Sequence, residues 1–244
     1  MTDRIFEIGG AGLESTDQQV RKLMDNLTNS QVPGYKSSSA VVSGFPLELE
    51  QAAQKFSSVK PQTEGSFYSD APGALIKTNG KYDLALGTDG FFVIEGPWGE
   101  GYTRDGRFQL DKDGRLLTLA GNYPVLGQAG PLVVTPGADI EFSQDGTVRV
   151  DGALVDRIRV VQPEQKNTLE SLNGSVFKQG GNTVMTEVGN PRVVQGYVEA
   201  SNVNVVDQYM EMINLERMYS LNAKIVSTRD ANLTKAQSLA GPAQ

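Results

Sequence analysis

The chain has 244 residues, 39% of them hydrophobic, and carries 22 basic against 29 acidic side chains for a net charge of −7. That length and apolar content support one or two folded domains with real cores, while the acidic balance and the lack of a Lys/Arg cluster remove the electrostatic footprint of nucleic-acid binding. With neither Cys nor His, disulfides, thiolate or imidazole metal sites and ordinary nucleophilic triads cannot be built, so an enzyme would have to rely on carboxylates, Lys, Ser or Tyr.

No run of 18 apolar residues exists, and the stretch MTDRIFEIGGAGLEST lacks both a basic n-region and an apolar h-region. Neither a cleavable signal peptide nor direct membrane insertion is expected. From Ile5 to about Asn29 the sequence reads as a helix: Phe6, Leu13, Val20, Leu23 and Leu27 fall on one face, although Gly9, Gly10 and Gly12 each cost about 1 kcal/mol relative to Ala. It stops where Val32 precedes Pro33 and is pushed out of the α region, with Pro33-Gly34 supplying a turn. Residues 1–36 are therefore taken as the first helical segment. Residues 37–79 read as an extended connector with a short helix over Leu47–Phe56.

Between Gly80 and Gln195 the character becomes β. Short runs rich in β-branched and aromatic residues (Tyr82–Leu86, Phe91–Glu95, Tyr102–Leu110, Leu116–Leu119, Leu132–Val134, Thr147–Val150 and Leu154–Val161) are punctuated by Asn79-Gly80, Asp89-Gly90, Asp105-Gly106, Asp113-Gly114, Asp145-Gly146 and Asp151-Gly152. These dipeptides suit the positive φ of tight hairpins. No βαβ alternation appears, so the expectation for 80–195 is an antiparallel sandwich or small barrel. In the last segment, 196–244, the signal Ser-Asn-Val-Asn caps about 30 residues free of Gly and Pro, a helix of roughly 45 Å at about 1.5 Å per residue. Its apolar residues fall at Val205, Tyr209, Met212, Leu215, Tyr219, Ala223 and Val226, with Val206, Met210 and Ile213 in a second row, a stripe too wide to face water.

The predicted architecture is α+β: long N- and C-terminal helices paired as a coiled-coil domain, an extended connector, and an inserted antiparallel β-rich domain. One Gly-weakened helix cannot cover the whole stripe, and the surplus points to other copies of the chain or to another protein.

Three segments resemble the flagellar rod and hook family of bacterial axial proteins. Met24-Asp-Asn-Leu-Thr-Asn-Ser-Gln-Val-Pro-Gly-Tyr-Lys36 is similar to that family's signature of an Asn-Asn-Leu-Ala-Asn core with a Thr-x-Gly-Phe-Lys ending. Asn26, Leu27, Asn29, Gly34 and Lys36 fit; Asp25, Thr28, Pro33 and Tyr35 depart. The second segment runs from Asp83-Leu-Ala-Leu-Gly-Thr-Asp-Gly-Phe-Phe-Val93 through Tyr102-Thr-Arg-Asp-Gly-Arg-Phe108 to Asp113-Gly-Arg115. The third is Gly196-Tyr-Val-Glu-Ala-Ser-Asn-Val-Asn204 with Met210, Ile213, Arg217, Tyr219, Asn222, Lys224 and Asp230 beyond it.

The resemblance implies a structural, non-enzymatic rod subunit in the cell-envelope basal body, polymerising helically around an export channel and exported uncleaved by the flagellar type III apparatus. The proximal rod protein is favoured over the distal one or a hook-type subunit. Implied partners are copies of itself and other rod proteins, with hook and ring proteins as further candidates; no cofactor or metal is implied. The helix faces and the resemblance together give an assembly interface of Leu23, Asn26, Leu27, Asn29, Asn202, Val205, Tyr209, Met210, Met212, Ile213, Arg217, Tyr219, Asn222 and Val226.

Competing chemistry is thin. Asp105, Asp111 and Asp113 lack the ordered oxygen series of a calcium loop and fit hairpin turns better. Gly87-Thr-Asp-Gly90 is followed by no Gly-Lys-Ser/Thr. A carboxylate-based cell-wall hydrolase would need two carboxylates at a defined separation, which nothing in the sequence places. Asn26 and Asn29 read as caps or as contacts to a neighbour.

Overall fold

The computed structural model describes residues 2–42, 63–165, 169–181 and 183–239. Helix α1, Thr2–Thr28, runs through its glycines and ends where Val32 N donates to Asn29 O (3.0 Å) and Gly34 takes φ +69°. Strands β1 (Ser38–Val42), β2 (Thr63–Tyr68) and β3 (Leu75–Lys77) follow. These strands lie within the segment read as an extended connector, and the helix expected over Leu47–Phe56 lies outside the described residues. Then come β4 (Leu84–Leu86), β5 (Phe91–Gly96), β6 (Gly99–Thr103), β7 (Phe108–Leu110), β8 (Leu116–Thr118), β9 (Ile140–Phe142), β10 (Thr147–Val150), β11 (Ala153–Arg157) and β12 (Val160–Pro163). The last are β13 (Leu169–Asn173), β14 (Val176–Gln179), β15 (Met185–Glu187), β16 (Val193–Gln195), β17 (Tyr197–Glu199) and helix α2, Val205–Leu239. Asn204 caps α2 through its side-chain oxygen, which accepts from Val206 N at 3.1 Å.

The chain divides into two compact units. One holds α1 as far as Leu27, β1, β2 as far as Phe67, and α2; the other holds residues 28–37 and 68–203. In the helical unit the expected coiled coil is overturned, and with it a fold defined by long paired terminal helices: the described chain is mainly β. Of the row on α2 meant to face α1, only Leu215 is buried, while Val205, Tyr209 and Tyr219 are open, as are Met210 and Ile213 beside them. The physical reason is the width noted above. Val205, Val206, Tyr209, Met210, Met212 and Ile213 cover nearly half of the circumference and Leu215, Met218 and Leu221 fall on the remainder, so no single seam concentrates the apolar surface as knobs-into-holes packing requires. Small and polar groups also meet between the helices. Asn26 Nδ2 donates to Gln208 Oε1 at 3.0 Å, and Gly12 leaves room for Asn222, whose Nδ2 would stand 3.1 Å from a Cβ there.

The β unit is antiparallel throughout its described pairings. Its largest sheet has the order β13-β14-β6-β5-β12-β15, accompanied by a three-stranded sheet β11-β10-β9 and the pairs β16-β4, β17-β3 and β7-β8. Strand β5 is buried on both faces: Phe92 and Ile94 enter one core with Leu84, Leu116 and Val148, and Phe91 and Val93 enter a second with Tyr68, Tyr102 and Phe177. An unbroken apolar run is what such a doubly covered strand requires.

Several turn signals act as expected. Asp151 and Gly152 both have positive φ (49° and 79°) between β10 and β11, the geometry of a type I′ hairpin. Asp105-Gly106 does something else: a Cβ on Gly106 would stand 1.6 Å from Leu84 O, so this glycine lets two backbones touch. The predicted run Tyr102–Leu110 is broken there into β6 and β7, and Leu132–Val134 makes only the isolated bridge Arg115–Val133. Trp98 lies across Gly96 and Gly101 and meets Tyr123 edge-on at 4.9 Å, packed on the β unit.

Candidate assembly site

Two features stand out, one in each unit. In the helical unit, α2 presents open apolar side chains along several turns, with Val206 (66% exposed), Met210 (62%) and Leu221 (62%) most open. Of the predicted interface residues, Val205, Tyr209, Met210, Ile213, Arg217 and Tyr219 lie on this open surface; Met212, Asn222 and Val226 are half-buried. Leu23 and Asn26 face inward and Leu27 is half-buried. Asn26 is turned inward. Its amide clamps β1, accepting from Ser38 N at 2.9 Å and donating to Ser38 O at 2.8 Å, besides its bond to Gln208.

In the β unit, three passages of the chain are tied by polar side chains. Lys36 Nζ donates to Glu199 Oε1 at 2.7 Å and to Ala71 O at 2.9 Å. Glu199 Oε1 also accepts from Gly73 N at 2.9 Å, and its Oε2 faces Arg104 Nη1 at 3.4 Å. Arg104 Nη2 donates to Thr88 O at 2.9 Å, and its guanidinium sits over the Phe91 ring at 5.7 Å. All three charged side chains are almost wholly buried. Beside them Asn202 uses its whole amide, accepting from Ser37 N at 2.7 Å and donating to Ser69 O and Ala71 O at 3.0 and 2.9 Å. Asn29, the remaining predicted residue, is half-buried at the start of this unit, its carbonyl accepting from Val32 N. Gly34 threads the gap because a Cβ would meet Arg104 C at 2.2 Å; its N donates to Glu199 O at 2.7 Å.

Burial pushes the Lys36 ammonium below its usual range, opposed by Glu199 beside it, and likewise lowers Arg104. Between the depressed folded pKa and the ordinary value of 10.5, the folded state binds fewer protons at Lys36 than the unfolded chain, so stability is gained as pH rises through that window. Thermal melts should therefore show the wild type gaining on Lys36→Met as pH climbs toward 10.5; a difference independent of pH would contradict this.

Asp105, Asp111 and Asp113 are held in turns. Asp105 makes a bidentate pair with Arg107 (2.9 and 2.8 Å), and Asp111 Oδ1 accepts from Asp113 N and Arg115 N (2.9 and 2.7 Å). Among the described residues no acidic group of three is placed to hold a metal ion, and no described helix is long and apolar enough to cross a membrane.

The predicted interface omitted Lys36, Arg104 and Glu199. A usable signal existed, because each of the three motif segments contributes one of them: Gly34 and Lys36 from the first, Arg104 from the second, Glu199 and Asn202 from the third. Charged residues embedded in Val-Pro-Gly-Tyr-Lys, Tyr-Thr-Arg and Tyr-Val-Glu-Ala cost less to bury together than singly.

Family models match the second and third of these segments. Residues 194–239 match the family described as flagellar basal body rod FlgEFG protein C-terminal, and residues 85–150 match the flagellar hook protein FlgE/F/G D1 domain. The flagellar basal-body rod protein FlgG of Buchnera aphidicola subsp. Schizaphis graminum is 30% identical, with 95% of this chain and 98% of that protein covered. FlgF of Escherichia coli (strain K12) is 30% identical with 98% of each covered, and FlgF of Caulobacter vibrioides 31% identical with 92% of each covered.

Proposed function

The chain belongs to the flagellar basal-body rod protein family, and from that premise we propose that copies of it pack through the open faces of α2 to build the proximal part of the rod around an export channel. It is a structural subunit of the basal-body rod, without enzymatic activity, and it assembles with other flagellar components there. The observation that carries the packing reading is the set of open apolar side chains on several faces of α2. Neighbouring copies, adjoining rod subunits, and hook and ring proteins where the rod meets them are the partners that fit it. Delivery without cleavage by the flagellar type III apparatus belongs to the same reading, as does an envelope location. We take α1 and α2 as the polymerising part and the β unit as the bulk of the subunit. FlgF-type and FlgG-type relatives match about equally, so position separates the proximal from the distal rod: a label on this subunit should map to the cytoplasmic-side half of the rod, and a label at the hook end would make it the distal component.

Met210→Lys with Ile213→Lys should leave the melting temperature of the isolated subunit nearly unchanged, since both side chains are open and surface changes typically fall within about 0.5 kcal/mol. The same pair should abolish swarming and rod incorporation in a strain lacking the native gene. Wild-type motility would overturn the proposed use of α2. In a dilute monomer, the α2 amides should exchange well before those of β5, because α2 gains little from burial and β5 is covered on both faces. Equal protection would mean the helix is stable without neighbours.

A further inference from the structure

Lys36 and Arg104 belong to the first half of the chain, whereas Glu199 is the final residue of the last strand, 163 positions beyond Lys36. We propose that Glu199 is the closing strap of the β unit: the unit cannot complete its fold until β17 delivers this carboxylate between the two buried cations.

Lys36, Arg104 and Glu199 have side chains only 2%, 4% and 2% exposed. Taking two cations out of water with no counter-ion is strongly unfavourable. The other carboxylates near them cannot replace Glu199. Asp70 is half-buried and Asp89 exposed, and both act on Arg104 less strongly than Glu199 does. The backbone around Glu199 makes its own long-range contacts: Gly34 N to Glu199 O at 2.7 Å, Ala200 N to Ala74 O at 2.8 Å, and the pairing of β17 with β3. None of these contacts is local, so loop-closure entropy must be met before any of them forms. A folding transition state that already buries most of the native surface takes Lys36 and Arg104 out of water, and Glu199 has to be in place by then. Folding of the β unit is thereby made conditional on its C-terminal edge.

The test is refolding and unfolding of the full chain followed by the fluorescence of Trp98, the sole Trp, which reports on the β unit. Glu199→Gln should slow refolding on the order of a hundredfold while changing the unfolding rate by less than about threefold. Lys36→Met added to Glu199→Gln should recover at least about tenfold of the lost rate, because one cation fewer has to be buried. Glu199→Gln refolding at the wild-type rate and unfolding faster would overturn the proposal, since the carboxylate would then dock after the barrier. So would a double variant no faster than the single one. If Glu199→Gln does not fold at all, recovery of folding in the double variant supports the strap, and failure of both overturns it.

Discussion

Replacing Glu199 with Leu is expected to destabilise the β unit by about 3–5 kcal/mol at pH 7, the range for stripping one partner from a buried charge cluster. Lys36→Met should cost only about 1 kcal/mol: it removes charge-assisted hydrogen bonds to Glu199 and Ala71, yet leaves Glu199 facing Arg104 and relieves the desolvation of an ammonium. The asymmetry follows from two cations sharing one carboxylate. Lys36→Met/Glu199→Leu should therefore lose less than the sum of the single variants, the mark of direct coupling. The Glu199→Leu penalty should also shrink toward alkaline pH, where Lys36, already held below its usual range by burial, gives up its charge. Equilibrium denaturation at pH 7 and pH 10 measures all of this. Equal losses for the two single variants, or strict additivity, would mean that the cluster is not energetically one object.

The second large effect concerns Gly34, where conformation and space act together. An Ala there must hold φ near +69° and place its Cβ 2.2 Å from Arg104 C and 2.3 Å from Asp105 N. The left-handed backbone alone costs about 1–2 kcal/mol. The clash is with main chain, which cannot swing aside as a flexible side-chain end can, so the loop carrying Arg104 or the segment leading to Lys36 must shift. A total on the order of 4 kcal/mol is expected, among the exceptional point-mutant effects. Gly137→Ala is the internal control, because it has φ +86° but nothing within 4 Å of its added Cβ, and it should lose only the conformational part. At roughly 2–4 °C per kcal/mol for a chain of this size, the two variants separate clearly in a thermal melt. Similar melting temperatures would remove the steric half of the account.

Local chemistry made the two helices legible in the sequence. Val32-Pro33-Gly34 marks the exit from α1, and Asn204 caps α2 as its position suggested. The run Phe91–Ile94 announced a strand, and Asp151-Gly152 announced its hairpin. The coiled coil failed because spacing of three or four was read from one row at a time. The two rows on α2, with Met218 and Leu221 outside both, spread apolar side chains around the helix and leave no preferred seam for a single partner. Strands β13 and β15 were not singled out because Leu169–Asn173 and Met185–Glu187 carry few β-branched residues; they are held by their neighbours in the sheet rather than by propensity. At the candidate site the open half of the list was readable from exposed apolar spacing. The buried cluster was never on that list: no periodicity links Lys36, Arg104 and Glu199, and their one trace in the sequence is a charged residue inside each motif segment. What joins them is charge balance across passages of chain far apart in sequence.

Strand β5 has one further consequence. Phe92 and Ile94 root it in one core, Phe91 and Val93 in the other. Two cores that merely abutted could slide past each other under shear, at the cost of dispersion contacts that re-form as they break. Here every second residue of one continuous backbone is anchored on the opposite side, so relative slip would have to drag Phe and Ile side chains out of close-packed pockets or stretch covalent bonds. For a part that turns under load, the β unit has no internal slip plane along β5: strain entering one core is handed to the other through the peptide chain itself.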